Sequence, residues 1–185
     1  MKKFAIAVAV VAFACSASAQ TLDHEERMVN RTAQKTAEQV KKTLVAYFSA
    51  TGTTEKAAGI IADRTGGVLY EIRPASGYTS ADLDWTDSSS RSSREMHDPA
   101  ARPEIIEDLK DADNYDIIYI GYPIWWDLAP RVINTFIETY GFKGKTVYPF
   151  ATSGGSTIAN SVKVLTETYP EIDWKEGQLM NGQSR

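Results

Sequence analysis

Cysteine is nearly missing from this 185-residue sequence: its one thiol, Cys15, lies in an N-terminal stretch with the marks of an export signal. A body without cysteine excludes disulfide scaffolding, thiol catalysis and thiolate ligation of zinc or iron–sulfur clusters. Histidine is almost as scarce. His24 and His97 stand far apart without a matching ligand set, which argues against a metal site. Asp82, Asp84 and Asp87 lack the glycine and terminal glutamate of a calcium loop. No G-x-G-x-x-G stretch occurs, no lysine follows a glycine turn in the nucleotide-loop pattern, and no G-x-S-x-G elbow surrounds Ser153 or Ser156.

What the sequence does have begins with a three-part leader. Lys2 and Lys3 precede an apolar run from Phe4 to Ala14, and Ala17-Ser18-Ala19 offers small residues for cleavage. The run is short for a membrane span. The expected division is a signal peptide over residues 1–19, a polar leader over 20–42 and a folded domain over 43–185. Cys15 offers an alternative, attachment of lipid, although Ala12 stands where such signals usually carry leucine. No twin arginine precedes the run, so export in the unfolded state to the periplasm or beyond is expected. Removing Lys2 and Lys3 from the 20 basic residues leaves 18 against 24 acidic ones, a net charge of −6. A negative body argues against a nucleic-acid partner and suits electrostatic encounter with a basic one.

From residue 42 the chain alternates regularly. Short apolar runs at 43–48, 68–72, 115–121 and 145–151 read as buried parallel strands, and 172–180 as a fifth. Helices are expected over 53–65, closed by Gly66-Gly67, and over 130–140 and 156–168. Pro103 suits the start of a helix running to about Lys110. The polar stretch 73–102 is too long for an idle connection; it is functional or hides a helix of its own. Alternating strands and helices imply an α/β fold, a doubly wound parallel five-stranded sheet. Ligands in such sheets bind beyond the carboxyl ends of the strands.

Three strand ends carry distinctive residues. After the first comes Ser49-Ala50-Thr51-Gly52-Thr53-Thr54, leading directly into a helix. Hydroxyls and free backbone N–H groups at a helix N-terminus attract an anion, and without a lysine they suit a terminal monophosphate. The plainer alternative is simple N-capping. After the third comes Pro123-Ile124-Trp125-Trp126. An indole in a solvent-facing loop is a stacking surface for a flat ring; the alternative is one core tryptophan and one partly exposed. After the fourth comes Thr152-Ser153-Gly154-Gly155-Ser156, whose glycines let backbone amides approach a ligand edge; alone, it reads equally as a flexible connector.

Taken together, the three loops resemble the flavodoxin-like superfamily, and its short flavodoxin branch in particular, over residues 42–180. The resemblance implies strand order 2-1-3-4-5 and FMN as cofactor. It implies that residues 49–54 hold the FMN phosphate, that Trp125 lies against the isoalloxazine, and that Thr152 to Ser156 border its other side. It further implies electron transfer to a redox partner protein, or reduction of a small quinone or flavin-type acceptor. Two departures stand out. The third loop has no aromatic residue to sandwich the ring, leaving one face open to a substrate or to cover by Tyr78 or Trp85. The sequence also ends at Arg185, where this fold expects one more helix. Both departures favour the contrasting function, a binding module that has lost flavin. Arg91 and Arg94 could meet an anionic substrate, but solvated pairing with local carboxylates is the expectation.

Overall fold

The computed structural model describes residues 41–181. The expected signal peptide and leader, up to residue 40, lie outside the described residues. Strands β1 (Thr43–Tyr47), β2 (Val68–Glu71), β3 (Ile117–Pro123), β4 (Thr146–Thr152), β5 (Asp173–Trp174) and β6 (Gln178–Leu179) are all parallel, in the order β2-β1-β3-β4-β5, with β6 also paired to β4. A parallel sheet was expected from the alternation of runs, and this order is the one the resemblance implied.

The central strands are apolar on both faces because helices cover both. On one face Leu44 and Ala46 of β1 and Ile118 and Ile120 of β3 pack with Val132, Ile133 and Phe136 of α3 (Arg131–Tyr140) and with Leu165 of α4 (Ala159–Thr168). On the other, Val45 and Tyr47 meet Ala57, Ala58, Ile60 and Ile61 of α1 (Thr53–Thr65). Helix α1 stops where Gly66 turns left-handed, φ 66°, and donates its N–H to Ala62 O at 2.9 Å.

The polar stretch does hide a helix, α2 (Arg91–His97), capped by the Ser90 hydroxyl accepting from Ser93 N–H at 3.2 Å. Its C-terminal end is docked by Arg131, whose Nη2 donates to Met96 O at 3.1 Å. Arg91 pairs with a local carboxylate as expected, its Nε 2.6 Å from Glu95 Oε1, but the pair is half-buried rather than solvated.

Two expectations are corrected. Residues 103–110 form no helix. They run extended, with Ala75 N–H bonded to Glu104 O and Ile106 N–H to Arg73 O, both at 2.8 Å, which turns Ile105 into the core. Proline at a first helical turn is permissive, and burial of Ile105 outweighs it. The fifth strand is broken into two pairs, β5 beside Thr146 and Val147, β6 beside Phe150 and Ala151. Val147 O and Ala151 O both accept bonds from this side, from Lys175 and Met180. Pro149 shares their orientation, since alternate residues of a strand hydrogen-bond to the same neighbour, and it has no N–H to give. The gap falls there.

Helix α4 starts three residues later than expected. Ser153 Oγ takes the N–H groups of Gly155 (3.1 Å) and Ser156 (2.8 Å), holding that stretch as a turn.

Candidate functional site

The ends of β1, β3 and β4 converge on one cleft. Its inner end, about 440 Å³, is lined by Thr51, Thr53, Thr54, Thr152, Ser153 and Asn181. Its outer end, about 690 Å³, is lined by the loop glycines Gly154 and Gly155, by Ser156, by both indoles of the tryptophan pair, and by Leu83, Trp85 and Ser92. Ala50, Thr51, Pro123, Ile124, Trp125, Ser153 and Gly154 border both ends, making them one continuous groove.

At the inner end, Gly52 occupies the N-cap of α1 with φ 82°, a left-handed conformation that side chains strain to adopt. No side chain caps this helix, so its first N–H groups are open to a ligand, with the positive end of the helix dipole behind them. The buried hydroxyls of Thr54 and Thr152 lie 2.8 Å apart and join this turn to the end of β4. Asn181 was not marked by any sequence pattern. It follows β6, and its Oδ1 accepts from Ser153 N–H at 2.8 Å. Of the residues singled out in the sequence, Ser49 and Gly52 do not line the groove; Gly52 shapes it from behind.

At the outer end, the tryptophan pair forms a tight turn. Trp125 N–H bonds Leu128 O at 3.0 Å and Leu128 N–H bonds Trp125 O at 2.9 Å, with Trp126 (φ 47°) and Asp127 (φ 64°) both left-handed between them. A two-residue turn of this kind favours Asn-Gly. A tryptophan there is a backbone outlier, and such outliers gather at functional sites.

Trp125 is braced from behind. Phe48 and Tyr78 meet it edge-on, with ring centroids at 5.5 and 5.3 Å. Tyr78 is pinned in turn by the Arg91 guanidinium, 4.1 Å from its ring centroid, and by a hydrogen bond from its hydroxyl to Glu95. Burial, with that bond to Glu95, pushes the Tyr78 hydroxyl well above the usual phenol range, so it remains a donor. Tyr78 therefore supports Trp125 and is not part of the cleft wall; Trp85 is. Among the described residues no ionisable side chain lines either end of the groove, and no cluster of His, Cys, Asp or Glu could hold a metal.

The family model for flavodoxin matches residues 42–185. This chain belongs to the flavodoxin family. A candidate flavoprotein from Bacteroides eggerthii DSM 20697 is 61% identical, over 77% of this flavodoxin and 90% of its own chain, with a TM-score of 0.76. One from Bacteroides uniformis ATCC 8492 is 59% identical, over 78% and 93%, with a TM-score of 0.77. A flavoprotein from Lactobacillus acidophilus NCFM, crystallised in complex with FMN, is 28% identical, over 76% and 93%, with a TM-score of 0.65. No curated protein matches this flavodoxin.

Proposed function

We propose that this flavodoxin holds FMN along the groove and passes electrons through it to a small acceptor. The observation that carries the reading is the uncapped N-terminus of α1 opening into the same groove that Trp125 borders. The phosphate would lie on the N–H groups and hydroxyls of residues 51–54, and the flavin ring would lie against Trp125 with Gly154 and Gly155 at its edge. FMN, when bound, supplies the electron-carrying chemistry; the protein binds it, orients the ring and sets access to it. Family membership and the FMN complex of the Lactobacillus relative support this choice of cofactor. Residues 152–156 carry no aromatic side chain to cover the ring, which supports a small acceptor over a docked redox protein. Residues 1–19 have the composition of an export signal, which supports a place of action outside the cytoplasm.

The test is a visible absorption spectrum after incubation with FMN and removal of the excess. Retained flavin bands are expected from the native chain. They are expected to be lost in Gly52→Val, with circular dichroism used to establish that the variant is folded. A folded Gly52→Val that keeps FMN would refute the phosphate assignment, and a colourless native protein would refute the cofactor.

A further inference from the structure

Asn181 carries a reactivity that holding a ligand does not use. It stands exposed in a turn just after β6, and its Oδ1 accepts from Ser153 N–H at 2.8 Å. Of the five asparagines in the sequence, it alone precedes a glycine, Gly182. That pairing matters because the backbone nitrogen of the following residue can attack an asparagine side chain, and a glycine puts no Cβ in the way. The other asparagines among the described residues are shielded from this attack. Asn134 and Asn160 lie inside α3 and α4, where helical dihedrals turn the next backbone nitrogen away from the side-chain amide. Both amides are also tied down, Asn134 Nδ2 donating to the Tyr169 hydroxyl at 3.0 Å and Asn160 Nδ2 to Asp127 O at 3.2 Å. Asn114 is followed by the bulky Tyr115.

In such an attack the Gly182 nitrogen forms a bond to Asn181 Cγ and loses its proton to water. The Cγ–Nδ2 bond breaks and ammonia leaves. Water then opens the cyclic imide at either carbonyl, giving aspartate or isoaspartate. The sum consumes one water and releases one ammonia, with no oxidant or cofactor. Negative charge gathers on Oδ1 as Cγ becomes tetrahedral, and Ser153 N–H already points at that atom. A donor in place before the charge develops favours the step. The aspartate product can keep the same bond, so the fold has no reason to open. Its charge, however, is new to the site. Thr51, Thr53 and Thr54 line the inner end beside Asn181, and among the described residues no cation does. An anion seated on those hydroxyls would then meet an uncompensated like charge.

We infer that Asn181 is a self-modifying site: it converts with time to aspartate or isoaspartate, and the new carboxylate weakens the groove's hold on a phosphorylated ligand. The modification rests on Asn181, Gly182 and Ser153 alone; its consequence for FMN rests on the function proposed above.

The experiment ages the flavin-free native chain in mildly alkaline buffer and follows each asparagine by peptide mapping with mass spectrometry, which reads the exchange of an amide for a carboxyl. Asn181 should convert well before Asn114, Asn134 and Asn160, and Gly182→Ala should hold it back to their pace. In parallel, titration calorimetry compares FMN binding by the native chain and by Asn181→Asp. The variant should bind FMN about tenfold more weakly, the scale of one partly screened repulsion. Added salt should restore part of that loss, because it screens like charges, and circular dichroism should be unchanged. An Asn181 that ages no faster than the other asparagines would overturn the inference. So would an Asn181→Asp variant with native affinity, or one whose loss ignores salt. If the native chain binds no FMN, the cofactor reading falls and takes the consequence for the ligand with it, while the peptide map still decides the modification.

Discussion

The hydroxyls of Thr54 and Thr152 meet at 2.8 Å in a buried position, 98 residues apart in sequence. They fasten the first turn of α1 to the last residue of β4, across the floor of the cleft. Removing one partner leaves the other buried without a bond. Thr152→Val is therefore expected to destabilise the fold by about 1–3 kcal/mol, with the double change to valine costing less than the two single changes together. Urea unfolding of the three variants checks this, and additive losses would show that the two hydroxyls do not act as a pair.

Gly121 pairs in register with Phe150, and a methyl group on Gly121 would come within 2.1 Å of the Phe150 ring. Phe150 is buried and cannot swing into solvent. Gly121→Ala is expected to cost about 1–3 kcal/mol by overpacking. The double variant Gly121→Ala/Phe150→Leu should recover part of that loss, again read by urea unfolding.

Trp126 holds a left-handed conformation, φ 47°, that asparagine adopts more readily. Trp126→Asn is expected to gain up to about 1 kcal/mol in unfolding free energy from relief of that strain, while weakening binding at the outer end of the cleft. Opposite signs for stability and ligand affinity are the signature; a variant that loses both would show that Trp126 serves the core.

Among the described residues the groove presents hydroxyls and amides but no cation. Binding of FMN should therefore depend little on salt, because no ion pair is there to be screened. Isothermal titration between about 0.05 and 0.5 M salt should shift the dissociation constant by less than about threefold. A steep loss of affinity with salt would mean that a lysine or arginine reaches the phosphate.

Glu138 accepts Arg102 Nε at 2.8 Å and Nη2 at 2.9 Å, and the Tyr169 hydroxyl at 2.6 Å. The bonds from Arg102, then from Tyr169, hold its carboxyl below the usual carboxylate range. A depressed folded value gives stability that is present above the unfolded carboxylate pKa and lost as pH falls through the folded one. Glu138→Gln should accordingly show a shallower stability loss than the native chain between pH 7 and about pH 3. Parallel acid profiles from chemical unfolding would contradict the assignment. The pair is partly solvent-exposed, so the difference should be modest.

Much of this architecture was legible because local and global demands agree. The apolar run beginning at Leu44, the Gly66 stop and the amphipathic α3 each allow one reading, and a parallel sheet follows from their alternation, while its strand order was legible only through the family resemblance. That the loops after β1 and β3 line the groove was legible because strand ends are where such a sheet places ligands. The rest depended on contacts that no local pattern encodes. Burial of Ile105 overrode Pro103. Pro149 broke a strand other than its own. Asn181 reaches the cleft only because β6 pairs with the end of β4, and Trp85 only because Asp84 and Thr86 close a turn around it.

That distribution has a consequence for the order in which the molecule matures. Pairing β1 with β3 joins Thr43 to Ile117, and pairing β3 with β4 must follow before Thr152 can reach Thr54. Contacts so distant in sequence form late, after chain entropy has been lost in closing long loops. The cleft is then among the last features the chain completes, and a ligand that needs all its walls cannot nucleate the fold. Flavin uptake would serve as a clock for the end of folding, its colour arriving only once the sheet is closed.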